Sequence, residues 1–294
     1  MKLALKVDVD TFRGTREGVP RLISLLKRYK AGATFLFSLG PDHTGRAWRR
    51  VFKKNFLSKV RRTSVLEHYG IRTLLYGTLL PGPDIGRQCA DTMRATREAG
   101  FEVGIHCWDH VRWQDYVARR DAGWTEREMR LACERFEAVF REIPRTWGAA
   151  GWQTNVHAAR FQDHAGFAYA SDTRGTRPFL PLWKGKRVGC PQFPTTLPTL
   201  DELIGLQADP VAHLLNLPAS DHVFTAHAEL EGGKLLAMFE SLLAGWRSRR
   251  YEVVSLDSLY GAIDATRLPQ HEVVFGEIPG RSGTLALQGK ELRA

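Results

Sequence analysis

The sequence predicts an α/β fold of parallel strands and intervening helices, either a barrel or a doubly wound sheet. Short apolar runs alternate with helical patterns along most of the chain. Such alternation implies parallel strands joined by right-handed crossovers. Polar residues follow several of the predicted strands, which is where an α/β barrel gathers its catalytic groups. With 294 residues, of which 43% are hydrophobic and 25% charged, the chain has ample material for a core.

Roughly seven strands are predicted. The first covers residues 3–9, where apolar and β-branched side chains are nearly continuous, and the second covers residues 33–38. The third covers residues 101–105 and leads directly into His106. Further short apolar runs lie at residues 146–147, 167–170, 190–195, 222–226 and 251–256.

Helical patterns occupy the segments between these strands. The first helix is expected over residues 19–30. A charged helix over residues 85–99 ends before Gly100, which suits the position just past a helix C-terminus. Thr125 and Glu128 have the spacing of a capping box, so a helix is expected from there to about residue 141. Two more helical patterns cover residues 154–165 and 234–249.

One domain is expected over residues 1–294, with an insertion at about residues 41–84, because no repeat or low-complexity linker divides the chain. The apolar start is cut short by Lys6 and Asp8, so no secretory signal is expected. No window approaches the ~20 apolar residues that cross a bilayer. The four cysteines show no paired spacing, which predicts free thiols in a reducing compartment.

Two aspartates close the first predicted strand. On a strand, residues i and i+2 point to the same face, so Asp8 and Asp10 would project side by side. Neighbouring carboxylates repel each other and are tolerated mainly where a cation or a shared proton lies between them. The alternative is a pair of solvated loop aspartates, or a helix N-cap formed by Asp10.

Two histidines follow the third predicted strand. His106 and His110 are four residues apart, so both imidazoles can reach one ion from a single turn. Asp10 could complete a His-His-Asp ligand set, which would leave Asp8 free to act as a base. Cys107 takes the position where zinc proteases carry a glutamate, and we interpret it as a buried small residue. A bare His-x-x-x-His is often structural, and the metal interpretation depends on the aspartate pair.

The sequence resembles the polysaccharide deacetylase family, which comprises metal-dependent amidohydrolases on a distorted (β/α)7 barrel. The residues that carry the resemblance, in this order, are Asp8, Asp10, His106, His110, Asp172 and His227. Residues 5–22, 108–110, 149–152, 171–175, 196–199 and 227–232 are similar to those of family members that remove formate from a lipid-linked formamido-arabinose in lipid A modification. The resemblance covers nearly the whole chain.

The resemblance implies a site with one divalent metal ion. The implied ligands are Asp10, His106 and His110. Asp8 would be the general base and His227 the general acid, with Asp172 near the imidazole to orient it. Zinc is the first expectation, and cobalt, manganese and nickel are also compatible with a His-His-Asp set. Hydrolysis of an amide by an activated water, followed by protonation of the leaving amine, requires these groups.

One departure from the family concerns the group that holds the base. Many members carry an arginine in the third motif, where this chain has an Ala-Ala-Gly-Trp stretch at residues 149–152. Arg174 is one candidate for holding Asp8. Trp152 is a candidate for closing the acyl pocket, with core packing as the alternative. Arg13 and Arg174 are further expected substrate contacts.

Residues 46–62 form a basic amphipathic segment with eight arginines and lysines and no acidic residue. Aromatic residues recur beside the cations, a combination typical of an interfacial helix on an anionic membrane. The expected membrane contacts are Trp48, Arg49, Arg50, Phe52, Lys53, Lys54 and Phe56. The alternative is an insertion packed on the barrel. Nucleic acid is not an expected partner, because it would leave the strand-end residues unexplained.

These observations leave three hypotheses. The first is a deformylase of a lipid-linked sugar phosphate, peripheral to the cytoplasmic side of the bacterial inner membrane. The second is a deacetylase of another N-acylated sugar with the same machinery. The third is a non-enzymatic basic binding protein that keeps the barrel.

Overall fold

The computed structural model describes residues 1–47, 71–281 and 283–292. All seven predicted membrane contacts, from Trp48 to Phe56, lie outside the described residues. Among the described residues, no helix combines the length and the apolar character that crossing a membrane requires.

The main sheet is seven-stranded and parallel throughout. Its strands are β1 (Lys2–Val9), β2 (Thr34–Ser38), β3 (Glu102–Cys107), β4 (Thr146–Trp147), β5 (Tyr169–Ala170), β8 (His222–His227) and β9 (Glu252–Val254). The order is β5-β4-β3-β2-β1-β8, with β9 also paired to β1. The sheet curls into a partial barrel, which confirms the predicted fold class.

A second sheet of four strands was not predicted. It contains β6 (Leu180–Trp183), β7 (Lys186–Arg187), β10 (Gln270–Gly276) and β11 (Leu285–Glu291), in the order β11-β10-β6-β7. The strand predicted at residues 190–195 is wrong, because Gln192 and Thr195 form only isolated bridges there.

Helices cover the sheet and connect its strands. They are α1 (Val19–Tyr29), α2 (Ile71–Leu75), α3 (Ile85–Gln88), α4 (Ala90–Glu98), α5 (His110–Tyr116), α6 (Ala122–Phe140), α7 (Val156–His164), α8 (Leu200–Leu203), α9 (Pro210–Leu215), α10 (Leu236–Ser248) and α11 (Leu256–Tyr260). A π-helix (Gly14–Gly18) precedes α1, and 3-10 turns cover Val117–Arg119, Ala150–Trp152 and Ala265–Arg267. Helix α6 begins earlier than the predicted capping box at Thr125, because Asp121 caps it by accepting from Trp124 N.

Strand β1 is central to the main sheet, and every residue from Leu3 to Val9 is buried. It pairs with β2, β8 and β9, so it is enclosed by neighbours along most of its length. The register pairs Asp8 with His227 of β8 and with Leu36 of β2. The carboxyl ends of β1, β3 and β8 therefore meet at one edge of the sheet.

The opposite edge is closed by a set of hydrogen bonds that we call the floor cluster, formed by Thr34, Glu102, Tyr169 and the start of α11. The Glu102 carboxylate accepts from the hydroxyls of Thr34 and Tyr169 and, at 3.0 Å, from Asp257 N. Thr34 Oγ1 in turn accepts from Leu256 N at 2.7 Å. Burial raises the pKa of Glu102 above its usual range.

Candidate active site and metal centre

Three of the predicted ligands come together at the carboxyl edge of the sheet. Asp10 follows β1, His106 lies in β3, and His110 is the first residue of α5 because Asp109 caps that helix. One ligand atom from each of Asp10, His106 and His110 lies within 4.8 Å of the others. Asp10 Oδ1 is 3.1 Å from His106 Nε2, and Asp10 Oδ2 is 3.4 Å from His110 Nε2.

The donor set fits a divalent cation. His106 Nδ1 lies 2.6 Å from Gly148 O, and because a carbonyl only accepts, the ring proton belongs on Nδ1. In the neutral ring Nε2 then presents a lone pair to Asp10 Oδ1, a buried oxygen that lacks a hydrogen-bond partner. Two acceptors at this distance need a proton or a metal ion between them, and His-His-Asp is a common metal-ligand set.

Charges around Asp10 favour its ionised form. Burial alone would raise the pKa of Asp10, but the nearby His110 and His106 rings in their protonated form outweigh it and hold that pKa well below its usual range. The carboxylate is thus ready to bind a cation without first losing a proton.

The backbone around Asp10 is fixed by a buried glutamate that sequence analysis gave no role. Glu229 Oε1 accepts from Asp10 N at 3.0 Å, and from Thr11 N and Thr11 Oγ1 at 2.7 and 2.8 Å. Gly14 makes room for this carboxylate, because a Cβ there would lie 1.9 Å from Oε1. The only sequence signal for it is an acidic residue two positions after His227.

Asp8 is held by Lys6, not by Arg174. The Lys6 ammonium lies 3.3 Å from Asp8 Oδ2, donates to Ser171 O at 3.3 Å, and sits 5.2 Å from the ring centre of Trp152. Lys6 is fully buried, and its i+2 spacing puts it on the same face of β1 as Asp8. Asp8 Oδ1 is buried and has no hydrogen-bond partner.

Arg174 makes other contacts, which corrects its expected role beside Asp8. Its guanidinium pairs with Glu202 at 2.5 Å and donates to Leu197 O at 2.9 Å. It also lies 4.9 Å from the ring centre of Trp152. Arg174 therefore reaches the site through Trp152.

His227 is the last residue of β8, beside Asp8 in the register. Its side chain is 12% exposed, and Nδ1 is 3.8 Å from Asp201 Oδ1. The Glu231 carboxylate fixes the backbone by accepting from His227 N at 2.7 Å. Burial raises the pKa of Asp201, but His227 and then Arg281 outweigh it, so the pKa of Asp201 lies below its usual range.

Asp172 lies in a different set of contacts from the one predicted. Its carboxylate accepts from Ala149 N and from Gln162 Nε2, both at 2.8 Å. Burial raises the pKa of Asp172 above its usual range. Among the described residues, Asp201 and not Asp172 is the carboxylate within ion-pair distance of His227. Asp172 instead anchors the turn that leads to Trp152.

Trp152 occupies the centre of the site. Both Gly151 and Trp152 have positive φ, 61° and 52°, and a tryptophan rarely adopts that conformation. Its ring meets His227 edge to face at 6.3 Å between centres, and the Arg281 guanidinium lies 4.3 Å from the ring centre. Trp152 Nε1 donates to Thr195 Oγ1 at 3.1 Å. The strained turn thus packs one buried aromatic ring against the imidazole and cations around it.

Arg13, a predicted substrate contact, lies near the metal ligands but is paired. Its Nε is 3.1 Å from Glu17 Oε2, and it lines a cavity of about 240 Å³ beside Thr11 and Glu229.

The fold is shared with solved structures, although no family model matches the chain. A Mycobacterium smegmatis protein provisionally assigned as a polysaccharide deacetylase has a TM-score of 0.64 and 16% identity, over 94% of each chain. A family 4 carbohydrate esterase from Streptomyces lividans has a TM-score of 0.50 and 10% identity, over 85% of this chain and 90% of the esterase. At these identities the likeness shows the fold alone.

Two curated relatives match nearly the full length. Proteins named "Probable 4-deoxy-4-formamido-L-arabinose-phosphoundecaprenol deformylase ArnD" come from Shewanella sediminis (strain HAW-EB3) and Wigglesworthia glossinidia brevipalpis. The first is 34% identical over 294 residues, covering 98% of this chain and 94% of the relative. The second is 30% identical over 287 residues, covering 95% of this chain and 100% of the relative.

Fold and relatives together define a hydrolase of N-acylated sugars with the polysaccharide deacetylase fold. The resemblance inferred from the motifs is thereby confirmed. Within this class, the chain belongs to the family of ArnD deformylases.

Proposed function

We propose that the chain hydrolyses the N-formyl group of 4-deoxy-4-formamido-L-arabinose-phosphoundecaprenol, releasing formate and the 4-amino sugar lipid for lipid A modification. The observation that carries the proposal is that three groups of residues converge at one edge of the sheet. They are the Asp10–His106–His110 cluster, the Asp8 carboxylate held by Lys6, and His227 beside Asp201. Near full-length similarity to the named deformylases supports the choice of acyl group and sugar.

Asp10, His106 and His110 would hold one divalent cation, with zinc as the first expectation and cobalt, manganese or nickel as alternatives. When bound there, such a cation polarises the formamide carbonyl and makes water a stronger acid. The residues of the chain supply the proton transfers.

Asp8 is the proposed general base. Lys6 occupies its Oδ2, while its buried Oδ1 has no hydrogen-bond partner and is available to accept a proton from the attacking water. The water oxygen bonds to the formyl carbon as Asp8 Oδ1 takes its proton. Lys6 orients the carboxylate before the attack.

His227 is the proposed general acid. As the carbon–nitrogen bond breaks, the departing amine takes a proton from the imidazolium, because an unprotonated amine leaves poorly. The Asp201 carboxylate, 3.8 Å from His227 Nδ1, stabilises the charged ring before that transfer. The products are formate and the free 4-amino sugar. In this scheme Asp172 positions the Trp152 turn.

The undecaprenyl tail keeps this substrate in a bilayer, so we infer that the mouth of the site approaches the cytoplasmic face of the bacterial inner membrane. The basic segment at residues 46–62 remains the proposed anionic-membrane contact, with charge and apolar burial both contributing. It begins at the described residues Arg46 and Ala47.

The direct test is an assay of metal-loaded protein with the formamido-arabinose lipid, the matching acetamido lipid, and metal-stripped protein as control. We expect formate and one free amine per turnover from the first substrate, and loss of both without metal. Acetate release without formate release would identify a deacetylase instead. Absence of turnover on both substrates would favour the non-enzymatic hypothesis.

A further inference from the structure

A wide groove runs along α5, the helix that begins with the proposed ligand His110. It has a volume of about 740 Å³, and its wall includes Arg46, Gly77, Arg112, Gln114, Tyr116 and Arg119. Helix α5 starts at His110, so Gln114 lies one helical turn beyond a proposed ligand. The Gln114 side chain also packs on Gly151, where a Cβ would lie 2.8 Å from it. The groove therefore lies one helical turn from His110 and next to the turn that carries Trp152.

The wall of the groove is predominantly cationic. Three arginines line it, Arg46, Arg112 and Arg119, against one acidic residue, Asp115. Arg46 is fixed by donating to Gly77 O at 3.0 Å, and Arg112 by its pair with the buried Glu128 at 3.2 Å. Arginine presents a rigid fork of N–H donors that suits phosphate oxygens.

One rim of the groove is apolar and exposed. The turn that contains Gly77 is closed by Gly77 N donating to Leu80 O at 2.8 Å, and it presents Leu79 with 79% of its surface exposed. Leu80 and Tyr116 are also exposed, at 37% and 46%. Exposed leucines beside arginines are suited to a ligand that is anionic at one end and apolar at the other.

We propose that this groove binds the phosphodiester and the first isoprene units of the substrate. The inference rests on the proposed function. In the substrate, the formamide and the phosphodiester occupy opposite positions of one pyranose ring, so the phosphate must lie about one ring-width from the metal-ligand cluster. Arg46, Arg112 and Arg119 then face the phosphate, and Leu79 with Leu80 contacts the prenyl chain.

The cavity beside Thr11 suits this ligand less well. It is smaller, at about 240 Å³, and its cations Arg13, Arg21 and Lys234 are accompanied by two carboxylates, Glu17 and Glu229. The Glu229 carboxylate is buried and engaged with the Asp10 loop. An anion with a long apolar chain is therefore better accommodated by the groove along α5.

The test compares two soluble substrates that share the formamido sugar. One is its methyl glycoside, which lacks phosphate, and the other its phosphodiester with a two-isoprene alcohol. For Arg119→Glu we expect the ratio of kcat/KM, phosphodiester over methyl glycoside, to fall about tenfold through KM. Arg160→Glu, at an exposed arginine outside the groove, is the matched control and should keep the wild-type ratio.

A second comparison addresses the apolar rim. Leu79→Ser should reduce the gain in kcat/KM that accompanies lengthening the prenyl chain, whereas Ile143→Ser, at a similarly exposed residue, should not. An unchanged substrate ratio in Arg119→Glu would overturn the proposal, whether kcat/KM stays at the wild-type value or falls equally on both substrates. If the wild type releases formate from neither substrate, the proposed function fails, and the groove assignment with it. Formate release from the methyl glycoside alone overturns the groove assignment while the deformylase chemistry stands.

Discussion

The ammonium of Lys6 lies 3.3 Å from Oδ2 of Asp8, and both side chains are buried inside the sheet. The resemblance to the family led us to expect an arginine from another motif beside Asp8, but here the cation comes from the same strand as the proposed base. The orientation of the proposed base therefore depends on the register of β1, which is fixed by pairing with β2, β8 and β9.

Lys6→Met should lower kcat by about 10²-fold while metal content is retained, because Asp8 loses the cation that orients it. Removing one partner of a buried pair also costs about 3–5 kcal/mol of unfolding free energy, so melting curves must accompany the kinetics. Lys6→Arg restores a cation and should recover part of kcat. Equal kcat in Lys6→Met and wild type would remove Lys6 from the mechanism, and equal losses in both variants would indicate a purely structural role.

His106→Ala and His110→Ala should each abolish stoichiometric metal binding and activity, because each variant loses one of three ligands. Metal content is measured on dialysed protein by mass spectrometry. His164→Ala, at an exposed histidine on α7, is the matched control and should bind metal normally. Full metal content in either site variant would exclude that histidine as a ligand.

His227→Ala should retain metal and lose about 10²–10⁴-fold in rate, the usual contribution of general acid–base catalysis. Asp201→Asn should have a smaller effect, about tenfold, because it removes only the charge beside the ring. Single-turnover kinetics and metal analysis on both variants provide the comparison. Loss of metal in His227→Ala would make His227 a ligand, and a larger loss in Asp201→Asn than in His227→Ala would contradict the order of roles.

Glu231 gives the fold a dependence on pH. Burial raises the pKa of Glu231 from its usual 4.5 to about 7 in the folded chain. Between these values the unfolded chain releases the proton while the folded chain keeps it, so the free energy of unfolding falls as pH rises, by up to about 3 kcal/mol. Above about pH 7 Glu231 is ionised in both states, and the free energy of unfolding no longer changes with pH through this residue.

Glu231→Gln keeps an acceptor for His227 N and removes the titration. Its melting temperature relative to wild type should therefore rise between pH 5 and pH 8. Parallel curves for the two proteins across that range would show that Glu231 ionises normally in the folded state.

Trp152→Phe should raise the ratio of acetamido to formamido turnover by about tenfold, because a pocket distinguishes one methyl group by only about 1–3 kcal/mol. Phenylalanine keeps an aromatic face for the surrounding cations. The control is Trp147→Phe, at a buried tryptophan that packs against Trp113 and Phe167. An unchanged ratio in Trp152→Phe would leave Trp152 as core packing.

Local patterns predicted the main sheet and the aspartate and histidine positions, because strand ends and i+2 spacing are visible along the chain. The partners of those residues were harder to predict. Lys6 was visible only as a break in an apolar run, since its acceptor Ser171 lies 165 residues away. Asp172 follows a predicted strand and was assigned to His227, but Asp201 is the carboxylate beside that ring, and it lies in a short helix that no local pattern placed near His227.

Other features depend on pairings with no local signal. Strands β10 and β11 pair with each other, and β10 also pairs with β6, about ninety positions earlier in the sequence, so propensity alone did not indicate a second sheet. The extent of the insertion at about residues 41–84 and the single-domain assignment remain predictions.

The floor cluster of Glu102, Thr34 and Tyr169 has a consequence for how this protein can be altered. Its hydrogen bonds seal the edge of the seven-stranded sheet that faces away from the metal ligands. Residues that stabilise the fold and residues that determine specificity therefore lie at opposite ends of the same strands. A mutational library confined to the groove and the Trp152 turn would leave the seal intact, so such variants can be screened for new acyl groups with limited losses of folded protein.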